Sequence, residues 1–239
     1  MIGSALFQQR LFEVQKRIAA ACNRSGRAVA DVTLIAVSKT FPFSRIEEAY
    51  SSGQYHFGEN YMQDCLAKID AAEEAHIPLK WHFIGHLQRN KAKFYSSRFY
   101  LLHTLDSLAL AQQLAKAALS SGFKARVLVQ VNIGMETSKS GVAPVELFAF
   151  LDKLRYIDGL SVCGLMTIPP VTFNQEDSRP YYRELYNKFL QAKETIYSDD
   201  YSFKHLSMGM SNDFEIAIEE GATYVRVGSL LFGDRSKRL

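Results

Sequence analysis

Short apolar segments alternate with amphipathic segments along almost the whole chain, and this alternation limits the folds that the chain can adopt. The apolar segments are rich in β-branched residues, which is typical of the buried strands of parallel sheets. We predict eight strands, at 32–37, 55–59, 81–84, 100–105, 125–133, 161–166, 205–208 and 224–228. Helices are predicted at 44–51, 62–75, 107–120, 145–155, 180–196 and 213–220. Strands that alternate with helices pair in parallel through right-handed crossovers, so the pattern predicts an α/β protein.

Two architectures satisfy this pattern: a closed (β/α)8 barrel and an open doubly wound sheet. The length of 239 residues is close to the roughly 250 residues of a typical barrel. The Gly-rich turn that usually follows the first strand of a doubly wound sheet is missing, because this position reads Ser38-Lys39-Thr40-Phe41-Pro42. We therefore predict one domain over residues 1–239, a single (β/α)8 TIM barrel with an extra N-terminal helix.

The boundaries of two helices can be predicted from local signals. In the extra helix, apolar residues recur at helical spacing between Leu6 and Ile18, before a turn at Gly26. In the next helix, Ser44 is predicted as the N-cap, with Glu47 three residues later as its capping-box partner.

Several classes of protein are excluded by composition. No run of about 18 apolar residues is present, and residues 1–10 lack the pattern of a secretory signal. The three cysteines are scattered, which fits neither a disulfide framework nor a zinc motif. With 28 basic and 25 acidic residues, the net charge of +3 is too small to indicate nucleic-acid binding. We expect a cytoplasmic protein that binds neither membranes nor nucleic acid, with Lys237-Arg238 as a solvated chain end.

Lys39 directly follows the first predicted strand, at the end of the barrel where function resides. A lysine amine in surroundings of low dielectric loses proton affinity and can attack a carbonyl group as a neutral nucleophile. The alternative is an ordinary solvated cation on the barrel rim.

Gly228 and Ser229 follow the last predicted strand. The loops after strands seven and eight of such barrels often bind phosphate, and glycine lets the backbone approach an anion. Ser207 and Ser211, in and after strand seven, could donate hydroxyl groups to the same anion. Alternatively, Gly228 is a simple turn residue and the serines are N-caps.

Arg226 lies within the eighth predicted strand, between Val225 and Val227. Because side chains alternate along a strand, Arg226 points away from the face that these valines occupy. It therefore points either into the barrel, where a buried arginine needs a partner or a ligand, or outward to a rim ion pair.

Histidines and a glutamate occur near strands two and three. His56, His82 and His86 do not have the spacing of a helical metal site, so we interpret them as core or rim histidines rather than metal ligands. Glu59 is either a general base or a buried ion-pair partner at the barrel mouth.

A lysine amine and a phosphate site in one barrel mouth indicate a phosphorylated aldehyde or ketone as the ligand. Pyridoxal phosphate has both features, and its ring nitrogen needs a protein partner. A sugar phosphate processed by a Schiff-base aldolase has both features as well, and residue chemistry alone does not separate the two.

Motifs spread over nearly the whole chain carry a resemblance to a known family. They are LIAVSKT at 34–40, FGENYMQD at 57–64, WHFIGHLQRNK at 81–91, VNIGMETSKSG at 131–141, GLMTIPP at 164–170 and HLSMGMSNDFEIAIEEGATYVRVGSLLFG at 205–233. In this order they resemble the pyridoxal phosphate homeostasis protein family. One departure is His86, where many members have proline; it affects the third loop but removes no expected cofactor contact.

The resemblance implies a barrel similar to the N-terminal domain of alanine racemase, with pyridoxal 5'-phosphate held as a Schiff base on Lys39. It implies that Asn60 lines the cofactor and that Arg226 faces the ring nitrogen. An arginine there cannot readily give up a proton, so the ring nitrogen stays unprotonated and the electron sink is weakened. The phosphate is expected at Ser207, Ser211, Gly228 and Ser229, and the ring is expected near Met166 and Met208.

The resemblance also implies a function. Members are regarded as binding, buffering or delivering the cofactor in vitamin B6 homeostasis, with no firmly assigned turnover. We expect no catalytic residue, no metal, a monomer, and pyridoxal-phosphate-dependent apoenzymes as candidate recipients. The alternative function is a pyridoxal-phosphate-dependent amino-acid racemase or a related enzyme.

Overall fold

Eight parallel strands form a closed barrel in the computed structural model, which describes residues 2–233. The strands are β1 Thr33–Val37, β2 His56–Glu59, β3 Lys80–Phe83, β4 Phe99–Leu105, β5 Ala125–Gln130, β6 Leu160–Met166, β7 His205–Met210 and β8 Tyr224–Val227. Each strand pairs with the next, and β8 closes the barrel by pairing with β1 at Leu34↔Val225 and Ile35↔Arg226. The predicted (β/α)8 barrel is confirmed, and the open sheet is excluded. The predicted basic chain end, Lys237-Arg238, lies outside the described residues.

Helices surround the barrel. They are α1 Ile2–Arg24, α2 Phe43–Ser51, α3 Met62–Glu74, α4 Leu108–Ser120, α5 Leu147–Leu154, α6 Arg179–Thr195, α7 Phe214–Glu219 and α8 Ser229–Phe232. Three 3-10 helices lie at Val29–Asp31, Arg89–Phe94 and Gln175–Ser178, and the second of them lies between β3 and β4. The extra N-terminal helix is confirmed as α1; Phe7 contacts Phe232 of α8, and Arg17 pairs with Glu215 of α7 at 3.1 Å.

Two local predictions need correction. Ser44 is not an N-cap, because α2 begins at Phe43 after Pro42, so Ser44 lies in the first helical turn. The strand predicted at 125–133 ends earlier, at Gln130. Val131 makes only an isolated bridge to Val142, and Asn132 opens a turn in which its carbonyl accepts from the amide of Met135.

The alternation of side chains along the strands divides the buried residues into two layers. One layer fills the barrel interior, and its apolar members are Ile35, Leu101, Leu128, Cys163, Met166 and Tyr224. The larger layer lies between the strands and the helices and includes Val225 and Val227. Arg226, between these valines, therefore points into the barrel. No helix in the range 2–233 is long and apolar enough to cross a membrane.

Candidate functional site

A cavity of about 610 Å³ lies at the carboxyl ends of the strands. Residues that follow most of the strands contribute to its lining, as expected for the functional end of a barrel. Six of the predicted site residues line this cavity: Lys39, Asn60, Ser211, Arg226, Gly228 and Ser229. The structure therefore brings together side chains that are as far apart in the chain as β1 and α8.

Lys39 reaches the cavity because of the way in which β1 ends. Val37 is the last strand residue, and its side chain also lines the cavity. Ser38 is buried, and Lys39 is half-buried. Thr40 has a φ of 70°, a left-handed conformation that ends the extended chain immediately after the lysine. The lysine is thus fixed at the boundary between the barrel interior and the cavity.

A buried ion pair holds the backbone next to Lys39. Lys68 of α3 donates to Glu59 at 2.6 Å and to the carbonyl of Ser38 at 3.0 Å. The Ser38 hydroxyl donates to the same Glu59 oxygen at 2.6 Å. Burial raises the pKa of Glu59, while the charge of Lys68 and the hydrogen bonds from Lys68 and Ser38 act in the opposite direction. Of the two interpretations of Glu59, the structure supports the ion-pair partner.

Asn60 lines the cavity and carries a buried acceptor that is unsatisfied. Its Oδ1 atom is buried and has no hydrogen-bond partner among the described residues, although the residue lines the cavity. Gly85, after β3, permits this arrangement, since a Cβ there would overlap the backbone of Asn60. An orphaned buried polar group is costly, so this amide indicates that a ligand with a matching polar group belongs in the cavity.

Ser211, Gly228 and Ser229 line the part of the cavity at which a phosphate was predicted. The amide of Gly228 donates to the Ser211 hydroxyl at 3.3 Å, which joins the loop after β7 to the loop after β8. Neither serine is an N-cap, because Asp213 precedes α7 and Gly228 precedes α8. The first amide groups of any helix lack acceptors within that helix, so this region has donors available for an anion.

The Arg226 guanidinium enters the cavity floor from inside the barrel and is 4% exposed. It donates to the Ser207 hydroxyl at 2.6 Å and to the carbonyl of Thr167 at 2.9 Å. Both partners are neutral, and no carboxylate of residues 2–233 pairs with it. Burial lowers the pKa of Arg226, and the nearby Tyr182 and Asp213 oppose this effect. The group offers a buried positive charge to a ligand.

Three of the predicted site residues do not line the cavity. Ser207 is fully buried and lies between Arg226 and His103, so a phosphate contact through its hydroxyl is not supported. Met208 packs between the barrel wall and the helices, because it alternates with the inward-facing Ser207. Met166 faces the barrel interior but is fully buried in its apolar cluster.

A column of three histidines crosses the barrel interior beneath Arg226. Nδ1 of His56 lies 2.9 Å from Nε2 of His82, and Nδ1 of His82 lies 2.8 Å from Nε2 of His103. Nδ1 of His103 then lies 2.8 Å from the hydroxyl of Ser207, which accepts from Arg226. The structure confirms that His82 is a core histidine. His103 was not predicted as a core residue from the sequence. It lies two residues after Leu101 in β4, so the two side chains share the face of the strand that points into the barrel.

The column is held neutral by burial. Burial, and then the charge of Lys80, lower the pKa of His56 to about 4. Burial lowers the pKa of His82 and His103 well below the ordinary value, and the charges of Arg126 near His82 and of Arg226 near His103 act in the same direction. Neutral histidines can each donate one hydrogen bond and accept another, so the column can be satisfied without any net charge.

This burial predicts an acid-sensitive fold. Below the unfolded-state pKa of about 6.5 the unfolded chain binds protons that the folded column excludes. Stability is therefore complete above that pH and is expected to fall as pH decreases below about 6.5, by roughly 1 kcal/mol per pH unit for each neutral histidine. Urea unfolding at pH 7.5, 6 and 5 measures the slope. His82→Leu should reduce the slope, whereas His76→Asn, at an exposed site outside the column, should not. A pH-independent midpoint would contradict this account.

His86 and Lys139 complete the rim. His86 is exposed and lies 3.5 Å from Asp106 and 3.4 Å from Ser140, away from the cavity lining. Lys139 lines the cavity, pairs with Glu136 and donates to the carbonyl of Pro169 at 2.8 Å. Sequence reasoning did not single out Lys139, because it lies in a loop at a distance from the strand ends.

This chain is similar to proteins of a known family over nearly its whole length. The alanine racemase N-terminal domain family matches residues 14–236. The pyridoxal phosphate homeostasis protein of Aquifex aeolicus is 43% identical over 95% of this chain and 97% of that protein. That of Escherichia coli K12 is 38% identical over 94% of this chain and 95% of its own length.

Solved structures show the same similarity. PipY of Synechococcus elongatus PCC7942, solved with PLP bound, has a TM-score of 0.79 and 34% identity, with coverage of 92% of this chain and 100% of that one. Alanine racemase from Corynebacterium glutamicum has a TM-score of 0.63 and 15% identity. The match covers 91% of this chain but 59% of the racemase, so it concerns the barrel fold alone.

Proposed function

Because the chain belongs to the family of pyridoxal phosphate homeostasis proteins, which is built on the alanine racemase N-terminal domain, we propose that it binds pyridoxal 5'-phosphate in this cavity. The observation that carries the proposal is the convergence of Lys39, Arg226 and the Gly228–Ser229 backbone on one cavity. The orphaned Oδ1 of Asn60 supports the fit, because it calls for a polar ligand at the same place.

Lys39 is the residue proposed to hold the cofactor covalently. When bound, pyridoxal phosphate supplies an aldehyde, and a neutral lysine amine condenses with it to give a Schiff base and water. Lys39 follows the first strand and lines the cavity, so its stem is restrained by the barrel while the amine reaches the ligand. The pair of Glu59 and Lys68 behind Ser38 keeps this segment in place.

The phosphate and the ring are proposed to occupy opposite parts of the site. The hydroxyl groups of Ser211 and Ser229 and the first amide groups of α8 supply donors for the phosphate, and Gly228 leaves the backbone open to its approach. Arg226 supplies a donor for the ring nitrogen and, because it does not readily lose a proton, leaves that nitrogen unprotonated. Ser207 acts through Arg226: its oxygen accepts from the guanidinium and thereby orients it.

Substitutions can distinguish the phosphate contact at Gly228 from the covalent contact at Lys39. Gly228→Val is expected to weaken binding of pyridoxal phosphate by roughly tenfold or more, and by more than Lys39→Ala, because branched atoms block approach to the backbone. A Cβ on Gly228 would lie 3.4 Å from Cβ of Val37, an ordinary contact, so Gly228→Ala provides a folded intermediate case. Equilibrium dialysis measures retention, and equal retention by Gly228→Val and Lys39→Ala would contradict the assignment of the phosphate site.

The role proposed for the bound cofactor is homeostasis, that is, storage or delivery without turnover. Arg226 opposite the ring nitrogen would leave that nitrogen unprotonated and so weaken the electron sink of the cofactor. A transfer assay with the cofactor-loaded protein and a pyridoxal-phosphate-dependent apoenzyme tests delivery, and size-exclusion chromatography tests the proposed monomer. Three free thiols, at Cys22, Cys65 and Cys163, suit the reducing compartment that we propose, the cytoplasm.

The alternative function, an amino-acid racemase, is tested with the same preparation. The loaded protein is incubated with L- and D-alanine, and the enantiomers are separated over time. We expect no sustained interconversion. Sustained turnover that disappears in Lys39→Ala would overturn the storage role and leave the cofactor assignment intact.

A further inference from the structure

A second cavity, of about 330 Å³, opens at the opposite end of the barrel, where the strands begin. It is lined by the first residues of β3 and β4, by Phe123 and Lys124 before β5, and by Arg126 in β5. Four of its lining residues are cationic, namely Lys80, Arg98, Lys124 and Arg126, and no described residue of the lining is acidic. This concentration of positive charge is unrelated to the site around Lys39.

Three of the four cations have no ionic partner in the described part of the chain. Arg98 is neutralised by Asp70 at 2.6 Å and by Glu73 at 3.2 Å. Within residues 2–233, no carboxylate lies within ion-pair distance of Lys80, Lys124 or Arg126. Like charges repel one another when they converge on a cavity, so a ligand that supplies negative charge would relieve an unfavourable arrangement.

Tyr100 forms the floor of the cavity and brings two of these cations together. The guanidinium carbon of Arg126 lies 4.4 Å from the centre of its ring, and Nζ of Lys80 lies 5.2 Å from the same point. An aromatic ring holds cations without neutralising them. The guanidinium and the ammonium group are therefore positioned around one ring, with their charges still available.

The titration of two neighbouring groups is consistent with a positive potential here. Burial acts to raise the pKa of Tyr100, but a hydrogen bond and the charge of Arg126, together with Lys80, outweigh it, and the pKa is lowered. The charge of Lys80 also adds to the effect of burial in lowering the pKa of His56. Both shifts have the sign that nearby positive charge produces.

We propose that this cavity is an anion-binding site for a phosphate group, either inorganic phosphate or a small phosphate ester, held by Arg126 together with Lys80 and Lys124. The planar guanidinium can donate two parallel hydrogen bonds to a phosphate, and the lysines add mobile point charges. Leu79, Phe99 and Phe123 give the cavity an apolar wall that an ester's organic part can contact. The proposal does not depend on the function proposed for the other end of the barrel.

Titration with inorganic phosphate, followed by amide chemical shifts in an NMR spectrum of the pyridoxal-phosphate-treated protein, tests the site. We expect saturable shifts at residues 97–100 and 124–126, separate from any shifts at 228–229. The variant Lys80→Met/Lys124→Met should bind phosphate about tenfold or more weakly, and Arg126→Gln should lose binding. Both lysines are exposed, so the double variant keeps the test informative if Arg126→Gln fails to fold.

The controls separate binding from ionic screening. Lys16→Met, at an exposed position on α1, should bind phosphate as the unchanged chain does. Sodium chloride at matched ionic strength should cause no saturable shift. Tighter binding of glycerol 3-phosphate would identify a phosphate ester as the ligand, and equal or weaker binding would identify inorganic phosphate. Absent or non-saturable shifts at 97–100 and 124–126, or undiminished binding by the double variant, would overturn the proposal.

Discussion

Replacement of Lys39 by alanine is expected to abolish the Schiff base with pyridoxal phosphate, and with it the yellow colour of the protein. The amine that reaches the cavity is removed, while the phosphate donors at Ser211, Gly228 and Ser229 remain, so weak noncovalent binding should persist. The absorbance spectrum of the purified chain with added cofactor measures the loss. Borohydride reduction of the unchanged chain, followed by peptide mass spectrometry, should locate the adduct on Lys39.

Two comparisons make this expectation specific. Lys16→Ala, at an exposed helical position, should retain the visible band of the unchanged chain. Lys139 is the second lysine in the cavity lining, so an adduct mapped to Lys139 would show that the covalent role is misassigned. A colourless unchanged protein that takes up no added cofactor would refute the proposed function as a whole.

The second large effect is expected from Lys68→Met. This substitution removes the ammonium group that lies 2.6 Å from Glu59 and leaves the fully buried carboxyl without its cationic partner. Breaking a buried ion pair from one side costs about 3–5 kcal/mol in general. The free energy of unfolding, measured by urea denaturation at pH 7.5, should fall by that order. Because Lys68 also holds the carbonyl of Ser38, Schiff-base formation at the adjacent Lys39 should slow as well.

A double variant distinguishes the uncompensated charge from general damage to the core. In Glu59→Gln/Lys68→Met the charge is absent, and most of the lost stability should return. Arg45→Met, which breaks the more exposed pair with Glu48 on α2, should cost less than about 1 kcal/mol. A cost for Lys68→Met as small as that of Arg45→Met would contradict the role assigned to the buried pair.

The absence of Ser207 and Met208 from the cavity lining has one physical cause. The sequence pattern predicts that β7 ends at residue 208, which would place both side chains at the barrel mouth. In the structure β7 continues to Met210, and Ser207 pairs in register with Met166 and Tyr224. Ser207 therefore lies one layer deeper, under Arg226. Strand ends depend on pairing with neighbours, and a single segment contains no information about those neighbours.

Local patterns in the amino-acid sequence predict the architecture and six of the residues that line the candidate site. The alternation of strand and helix predicted the barrel, and the position of Lys39 after the first strand predicted that it lies at the barrel mouth. The alternation of side chains along β8 predicts that Arg226 and its neighbours Val225 and Val227 point to opposite faces of the strand. It does not predict which of these faces lies inside the barrel. These properties are local, since they depend on hydrophobic periodicity and on residues adjacent in the chain.

Contacts between side chains that are distant in the chain arise only when the barrel closes. The column from His56 through His103 to Ser207 includes a contact between residues 104 positions apart, His103 and Ser207, and it exists because the barrel closes with one particular register. The same closure points Arg226 inward and gathers Lys80, Lys124 and Arg126 at the opposite end. Register and closure arise from the packing of all eight strands together, so no single motif could reveal these contacts.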